Sequence, residues 1–474
     1  MTSSPRPRHA LTLALLAFAQ FIIAMDYNIV YVALPDIGRA LGFSTQSVQW
    51  VVGAYAVGLG GLLLLGGRAV DRLGRRRLFI LGLALYGASS LLGGLAVAPG
   101  MLVAARALQG LGGALLTPAT LAFISTVFPE GPSRNRAMAI WGTAGGAGLA
   151  AGSLIGGVLT ETLGWQWVFF VNVPLTGAAA LAAPRLLPVD PPPRTRDRFD
   201  LPGALVATLG ASLLVFGLAS GPETGWTSPR GVGAIAVGIG LLAVFVLIER
   251  YTPDPLMPLR LLRIRSLTTA MAVMFIFMGT LSGQYYVFTM YLQDVLGLDA
   301  LHAGLAFLPL TLIAIASTER LVAPLLNRWG LRTTLTAGLL INALGMLAFT
   351  AAMNTGGSYW ALLPGIIIWG AGSFTYAAMF ATAASDVPSA EQGVASGLAN
   401  TALQIGGAVG LAVLVAITNA VGESATTLVA TAGLRAAGWT AAAVLLCAAA
   451  IAATLKSPAP VATTTARQHE HIQP

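Results

Sequence analysis

Apolar runs long enough to cross a bilayer recur along the whole chain. They fall at about 10–34, 49–67, 78–98, 101–126, 137–159, 167–187 and 201–219, then at about 231–249, 267–292, 302–325, 333–353, 359–384, 394–420 and 436–455. A helix rises about 1.5 Å per residue, so roughly 20 apolar residues match a hydrocarbon core ~30 Å thick. Within lipid every backbone N–H and C=O must find a partner in the chain itself, and long apolar runs without two-residue alternation satisfy this as helices. The pattern predicts an all-α membrane protein with 14 transmembrane helices joined by short polar loops. Gly and Pro inside several runs are compatible with this, because neighbouring helices can re-satisfy the backbone.

Composition agrees. The chain has 474 residues, 56% hydrophobic and 9% charged, where a soluble domain carries about 25% charge; its mean hydropathy is +0.78. The net charge of +8 comes from basic residues scattered through short loops, which argues against a nucleic-acid partner. Basic residues mark cytoplasmic loops. With the N-terminus and its Arg6 and Arg8 inside, only Arg39, Arg230 and Arg435 fall outside, and Arg106 lies within a span. This predicts a multi-pass protein of the cell membrane with both termini cytoplasmic. One inner loop, Ser385–Gly393, departs from the rule, carrying Asp386 and Glu391 and no base. One cysteine, Cys447, and four histidines make neither a disulfide framework nor a metal motif, so no metal and no cofactor is expected. The first apolar run is too long for a cleaved leader. No G-x-x-x-x-G-K-[ST] phosphate loop is present, which disfavours an ATP-driven pump. No clustered catalytic constellation stands out, so the chain is not read as an enzyme.

An internal echo divides the chain. DRLGRR (Asp71–Arg76) recurs as NRWGLR (Asn327–Arg332), each between two spans, which reads as a duplicated transporter architecture. The expected organisation is a cytoplasmic tail at 1–9, a six-helix half at 10–187, a linker at 188–200 and an inserted helix pair at 201–249. A second linker at 250–266, a second six-helix half at 267–455 and a disordered cytoplasmic tail at 456–474 complete it.

The first span carries an acid. Asp26 sits in QFIIAMDYNIVYVALP (Gln20–Pro35), and a carboxyl group inside a spanning helix costs roughly 2.5–3.5 kcal/mol on insertion scales. Such a group faces a bundle interior or a wet cavity. It either holds helices together or acts as a functional acid, and the second reading is preferred here.

Several stretches carry a likeness. GGRAVDRLGRRRLF (Gly66–Phe79) resembles the loop motif between the second and third helices of the major facilitator superfamily, and RALQGLGGALLTPA (Arg106–Ala119) its fourth-helix motif. MDYNIVYVALP (Met25–Pro35), GWQWVFFVNVP (Gly164–Pro174), FDLPGALVATLG (Phe199–Gly210), YLQDVLG (Tyr291–Gly297) and GVASGLANT (Gly393–Thr401) resemble its fourteen-span drug:proton antiporter family. There are departures: Ser153 stands where that family's fifth-helix motif has proline, and Gln166 and Leu403 stand where it has arginine.

The resemblance implies a proton-coupled secondary transporter that exports lipophilic or cationic drugs by alternating access. The alternative is a narrow-specificity metabolite or antibiotic exporter or importer on the same scaffold. The expected partners are a lipophilic or cationic small molecule, protons and the bilayer, and the chain is expected to be a monomer. It also implies that the first and fourth spans are neighbours. Asp26 lies about 12 Å and Arg106 about 8 Å from the outer ends of their spans, so proton coupling is expected to rest on Asp26 tuned by Arg106, unless Arg106 is only a helix brace. Glu319 is a further candidate for proton coupling or an inner gate, with a plain inner-end salt bridge as the alternative. Tyr27, Tyr31, Gln109, Gln284, Tyr285, Tyr376, Asn400 and Gln404 are expected to line the substrate pocket, with Trp50 and Tyr55 as further aromatics. Gating is expected from Asp71, Arg72, Gly74, Arg75 and Arg76 in the loop motif, and from the flexible face of Gly152, Gly156 and Gly157.

Overall fold

The computed structural model describes residues 7–44, 47–129, 132–190, 201–224, 227–252, 259–388, 391–421 and 427–455. The expected tail at 456–474 and most of the linker at 188–200 lie outside the described residues. Among the described residues all regular structure is helical. Twelve helices are long and apolar enough to cross a membrane, and two further apolar stretches, Trp50–Leu63 and Pro202–Leu214, are shorter.

The elements are α1 (Pro7–Leu41), α2 (Trp50–Leu73), α3 (Arg75–Gly94), α4 (Pro99–Val127), α5 (Pro132–Leu163) and α6 (Trp167–Leu186). They are followed by a hairpin of α7 (Leu201–Thr224) and α8 (Pro229–Tyr251), then by α9 (Arg265–Met290), which ends in the π-turn Tyr291–Val295. A helical ribbon, Leu308–Ala352, kinks at Gly330 (φ 72°). The part before the kink, with Ala300–Ala306, is α10, and the part beyond it is α11. The last elements are α12 (Tyr359–Ala384), α13 (Gln392–Val421) and α14 (Thr427–Ala453).

The face of the bundle on which α1 begins is the near face, and the face on which it ends is the far face. The sequence echo is visible in the backbone. Gly74 (φ 105°) separates α2 from α3 and Gly330 (φ 72°) separates α10 from α11, and both torsions lie where a side chain is strained. Packing repeats as well: α1 lies on α5 as α9 lies on α13, and α2 lies on α4 as the Leu308–Ala352 ribbon lies on α12. Small residues allow this closeness. A Cβ at Gly152 would sit 2.4 Å from the Met25 carbonyl oxygen, and one at Gly410 would sit 2.2 Å from the Gly279 Cα. The α1–α6 and α9–α14 groups meet where α2 packs on α13 and α5 on α10, and α7 lies against both α2 and α13.

The apolar core is distributed unequally. On the far face one cluster joins both groups, from Ile29 to Ile37 of α1 through Phe288, Phe307 and Trp369 to Ala441 of α14. Toward the near face it gives way to two separate clusters. One belongs to α1–α6 and runs from Leu15 to Leu187; the other belongs to α9–α14 with Ala204 and Phe245 of the α7–α8 hairpin. The buried cores of the two groups are therefore joined at the far face and distinct at the near face, where Leu65 of α2 and the α5–α10 seam still bring the groups into contact. The acidic near-face loop has its own explanation, because Glu391 pairs with Arg260 from the short helix ahead of α9. That base supplies the charge the loop lacks.

Candidate functional site

The α1 helix runs 35 residues and continues through Pro35 to Leu41. Asp26 is therefore about 22 Å from its far end, nearer the middle of the bundle than a span ending at Leu34 implies. Its side chain is fully buried. Oδ2 accepts from Arg106 Nη1 at 2.7 Å, and Oδ1 accepts from Gln109 Nε2 at 2.8 Å and from Asn172 Nδ2 at 2.7 Å. Arg106 is equally buried. Its Nε donates to the Val51 carbonyl at 2.8 Å and its Nη1 to Gln109 Oε1 at 2.6 Å, while its guanidinium lies 4.4 Å above the Tyr55 ring. Gln109 Nε2 also donates to Ser90 Oγ at 2.8 Å. Five helices thus each contribute: α1 the acid, α4 the base and an amide, α2 a carbonyl and a ring, α3 a hydroxyl and α6 an amide.

A buried ion pair recovers its desolvation cost only when the remaining polar positions are also bonded. Here both carboxylate oxygens are bonded, and both act as acceptors in the three hydrogen bonds. Among the described residues the arrangement has no counterpart in the α9–α14 group. Matching Gly152 on Met25 to Gly410 on Gly279 sets Asp26 against Thr280, and matching Gly112 on Tyr86 to Gly372 on Asn342 sets Arg106 against Ile366. Thr280 bonds only within its own helix, to Phe277 O and Ile276 O. The repeat is structural, and the charge belongs to one copy.

The structure brings some of the expected site residues together and leaves others apart. Gln109, expected in the substrate pocket, belongs to the acid's network. Tyr27 and Tyr31 are hydroxyl neighbours at 3.4 Å, and Tyr31 packs 5.5 Å from Tyr285, which stacks on Phe307 at 5.4 Å. These rings belong to the far-face core. Gln284 lies ~200° around α9 from Ser282 and is buried with its side-chain nitrogen unbonded. Tyr376 is partly exposed beside Phe380, Gln404 packs on Gly60 of α2, and Asn400 is half-buried on α13. Glu319 is exposed and accepts from Thr143 of α5 at 3.4 Å, across the α5–α10 seam.

In the loop motif, Gly74 forms the turn and Arg75 donates to Thr126. The side chain of Asp71 lies outside the described residues; Arg72 is exposed. The carboxylate at the start of α3 is that of Asp190, which accepts from the backbone N–H groups of Arg76 at 2.9 Å and Arg77 at 3.2 Å. Gly152 and Gly156 face α1, while Gly157 faces Ala300 of α10. Two network members, Asn172 and Ser90, escaped the sequence reading. A lone amide in the apolar stretch WVFFVNVP was the available signal for the first; a serine in a membrane helix gives none.

The description "Major Facilitator Superfamily" matches residues 16–411. The puromycin resistance protein pur8 of Streptomyces alboniger is 40% identical over 86% of this chain and 82% of its own length. The cephamycin export protein CmcT of Amycolatopsis lactamdurans is 38% identical over 86% of this chain and 84% of its own. A crystal structure of an auto-inhibited POT family peptide transporter superposes with a TM-score of 0.70 at 16% identity, over 96% of this chain and 98% of that one. Its likeness concerns the fold alone. With a family match over most of its length and relatives of this similarity, the chain belongs to the major facilitator superfamily.

Proposed function

We propose that this protein is a proton-coupled exporter of lipophilic or cationic small molecules, among them antibiotics. Fourteen helices cross the cell membrane, α2 and α7 included, with both termini cytoplasmic and the near face inward. Two six-helix halves, 10–187 and 267–455, rock about a central site with the pair at 201–249 carried between them. The observation that carries the reading is the Asp26–Arg106 pair, an ionisable couple fully buried in one copy of a repeated scaffold. An acid that exchanges a proton must alternate between being held ionised and being neutralised, and Arg106 supplies the first condition. The names of two relatives, for puromycin resistance and cephamycin export, support the substrate class and the direction. The separate near-face cores support a conformation opening inward.

Tyr376, Asn400 and Gln404 are assigned to the pocket, with Tyr27 at its far-face end. Glu319 is assigned to the inner seam between the halves, and the Gly74–Arg76 turn to the inner gate. The test is drug-dependent proton movement in proteoliposomes under an imposed pH gradient, with ethidium and puromycin as substrates. Proton flux that requires the drug and disappears in Asp26→Asn supports antiport. Drug transport that is indifferent to the gradient, or that survives Asp26→Asn, refutes it. A second reading, one dedicated antibiotic per transporter, is favoured by relatives that are each named for a single compound. Transport of puromycin without ethidium would select it.

A further inference from the structure

The residue after the buried acid occupies a singular place. Asp26 and Tyr27 project ~100° apart from α1: Asp26 into the α1–α6 group, Tyr27 out of it toward α9. The Tyr27 hydroxyl lies 2.9 Å from Ser282 Oγ on α9, a hydrogen bond between the two groups. Among the described residues, Tyr27 is also the side chain that packs against each of the three large apolar cores: the shared far-face cluster and both near-face clusters. It therefore stands at the point where the fused region ends and the separate regions begin. Ser282 is buried, and Gly407 of α13 leaves it room: a Cβ there would come 3.1 Å from its Oγ. Beyond this contact, Gln293 Nε2 donates to the Val32 carbonyl at 2.9 Å, again from α9 to α1.

We propose that the Tyr27–Ser282 hydrogen bond is the positioning contact through which the charge state of Asp26 reaches the other half of the molecule. The proposal rests on the reading of Asp26 as the proton-exchanging acid. When Asp26 takes a proton from hydronium, Oδ2 becomes a hydroxyl and its ionic bond to Arg106 is lost, so α1 is held at this turn only by the neutral bonds from Gln109 and Asn172 to Oδ1 and its orientation loosens. A rotation of α1 about its own axis moves Tyr27 in the same motion, because both side chains hang from one rigid helical turn. Losing the Ser282 partner frees α1 from α9 at the apex of the far-face seal. Packed cores switch between discrete arrangements and do not deform continuously, so a contact at the junction of three of them is placed to select one arrangement. The ionisable groups around Asp26 are Arg106 from α4, Tyr55 from α2 and Tyr86 from α3, with Tyr31 and Tyr285 beyond Tyr27.

The experiment places one reporter thiol in the far-face core by Ala300→Cys, in a chain freed of its native thiol by Cys447→Ala. Ala300 is buried in that core, beside Gly157 of α5. Maleimide labelling is followed against pH in the reconstituted full-length protein. The expected result is a rate that changes several-fold with pH in the parent. That dependence is lost in Asp26→Asn, Tyr27→Phe and Ser282→Ala and restored in Ser282→Thr, with the Tyr27 and Ser282 variants unfolding within a few degrees of the parent. A pH dependence that vanishes in Asp26→Asn but persists in Tyr27→Phe and Ser282→Ala overturns the contact and spares the acid. A dependence that persists in Asp26→Asn, or is absent from the parent, overturns the assignment of the acid and the proposal with it.

Discussion

Replacing Arg106 by Met removes the charge but keeps a flexible, polarisable side chain over the Tyr55 ring, where the guanidinium now lies at 4.4 Å. It leaves Asp26 buried and short of its Oδ2 partner. Breaking a buried pair from one side costs about 3–5 kcal/mol. Asp26→Asn fails from the other side. Its amide sets N–H groups against the Arg106 Nη1 that now sits 2.7 Å from Oδ2, stranding a buried cation at a similar cost of about 3–5 kcal/mol. The double replacement behaves differently. The new amide oxygen still accepts from Gln109 and Asn172, which already meet Oδ1 at 2.8 and 2.7 Å, and no charge remains. What is lost is the bond from Arg106 Nε to the Val51 carbonyl and the bond from Nη1 to Gln109 Oε1, together about 1–3 kcal/mol. The double variant is thus expected to be more stable than either single one, although none of the three exchanges protons. The assay is reversible unfolding in mixed micelles titrated with denaturing detergent, with the three variants compared as a cycle. Costs that add to within about 0.5 kcal/mol would refute the picture of a mutually dependent buried pair.

Three further outcomes are expected. At Gly152, where a Cβ would meet the Met25 carbonyl oxygen at 2.4 Å, Gly152→Val costs about 1–3 kcal/mol and lowers the yield of folded protein; Gly142→Ala, in open space, leaves the yield unchanged. Asp190→Ala removes the acceptor for the first N–H groups of α3 at about 1 kcal/mol, so trypsin cuts at Arg75–Arg77 roughly fivefold faster; an unchanged rate contradicts the cap. Asp299 caps α10 by accepting from the His302 N–H at 2.8 Å, and these bonds with His302 hold its carboxyl below the ordinary carboxylate range. Its folded value is depressed, so its stabilisation is present above pH ~4 and fades as the pH falls through the folded value. Asp299→Ala therefore lowers the unfolding temperature at pH 7, and the two proteins converge as the pH falls below the folded value; a gap of constant size would show the carboxylate to be irrelevant.

Some of this was legible in the residues alone, because the bilayer is a severe solvent. Apolar runs of fixed length must be helical in lipid, so element type and approximate boundaries follow from hydropathy. The recurrence of DRLGRR as NRWGLR announced a duplicated backbone, down to the matching positive φ of Gly74 and Gly330. Asp26 was legible for the same reason, since an acid in a span is too costly to be incidental. What a linear pattern does not carry is the direction in which each polar group points and what meets it. Gln109 reads as a pocket amide, yet one helical turn from Arg106 it faces the acid. Asn172 lies 146 residues from Asp26 and becomes its partner only when α6 packs near α1. Asp190, in the linker, lies 114 residues from the Arg76 N–H that it accepts from at the start of α3. Ser282 looks like any small residue of a membrane helix until α9 is set against α1. Hydrophobic length decided that helices form and where. Close approach between backbones at glycine, together with the requirement that each buried polar atom find a partner, decided which of them share a site, and only the tertiary structure records that outcome.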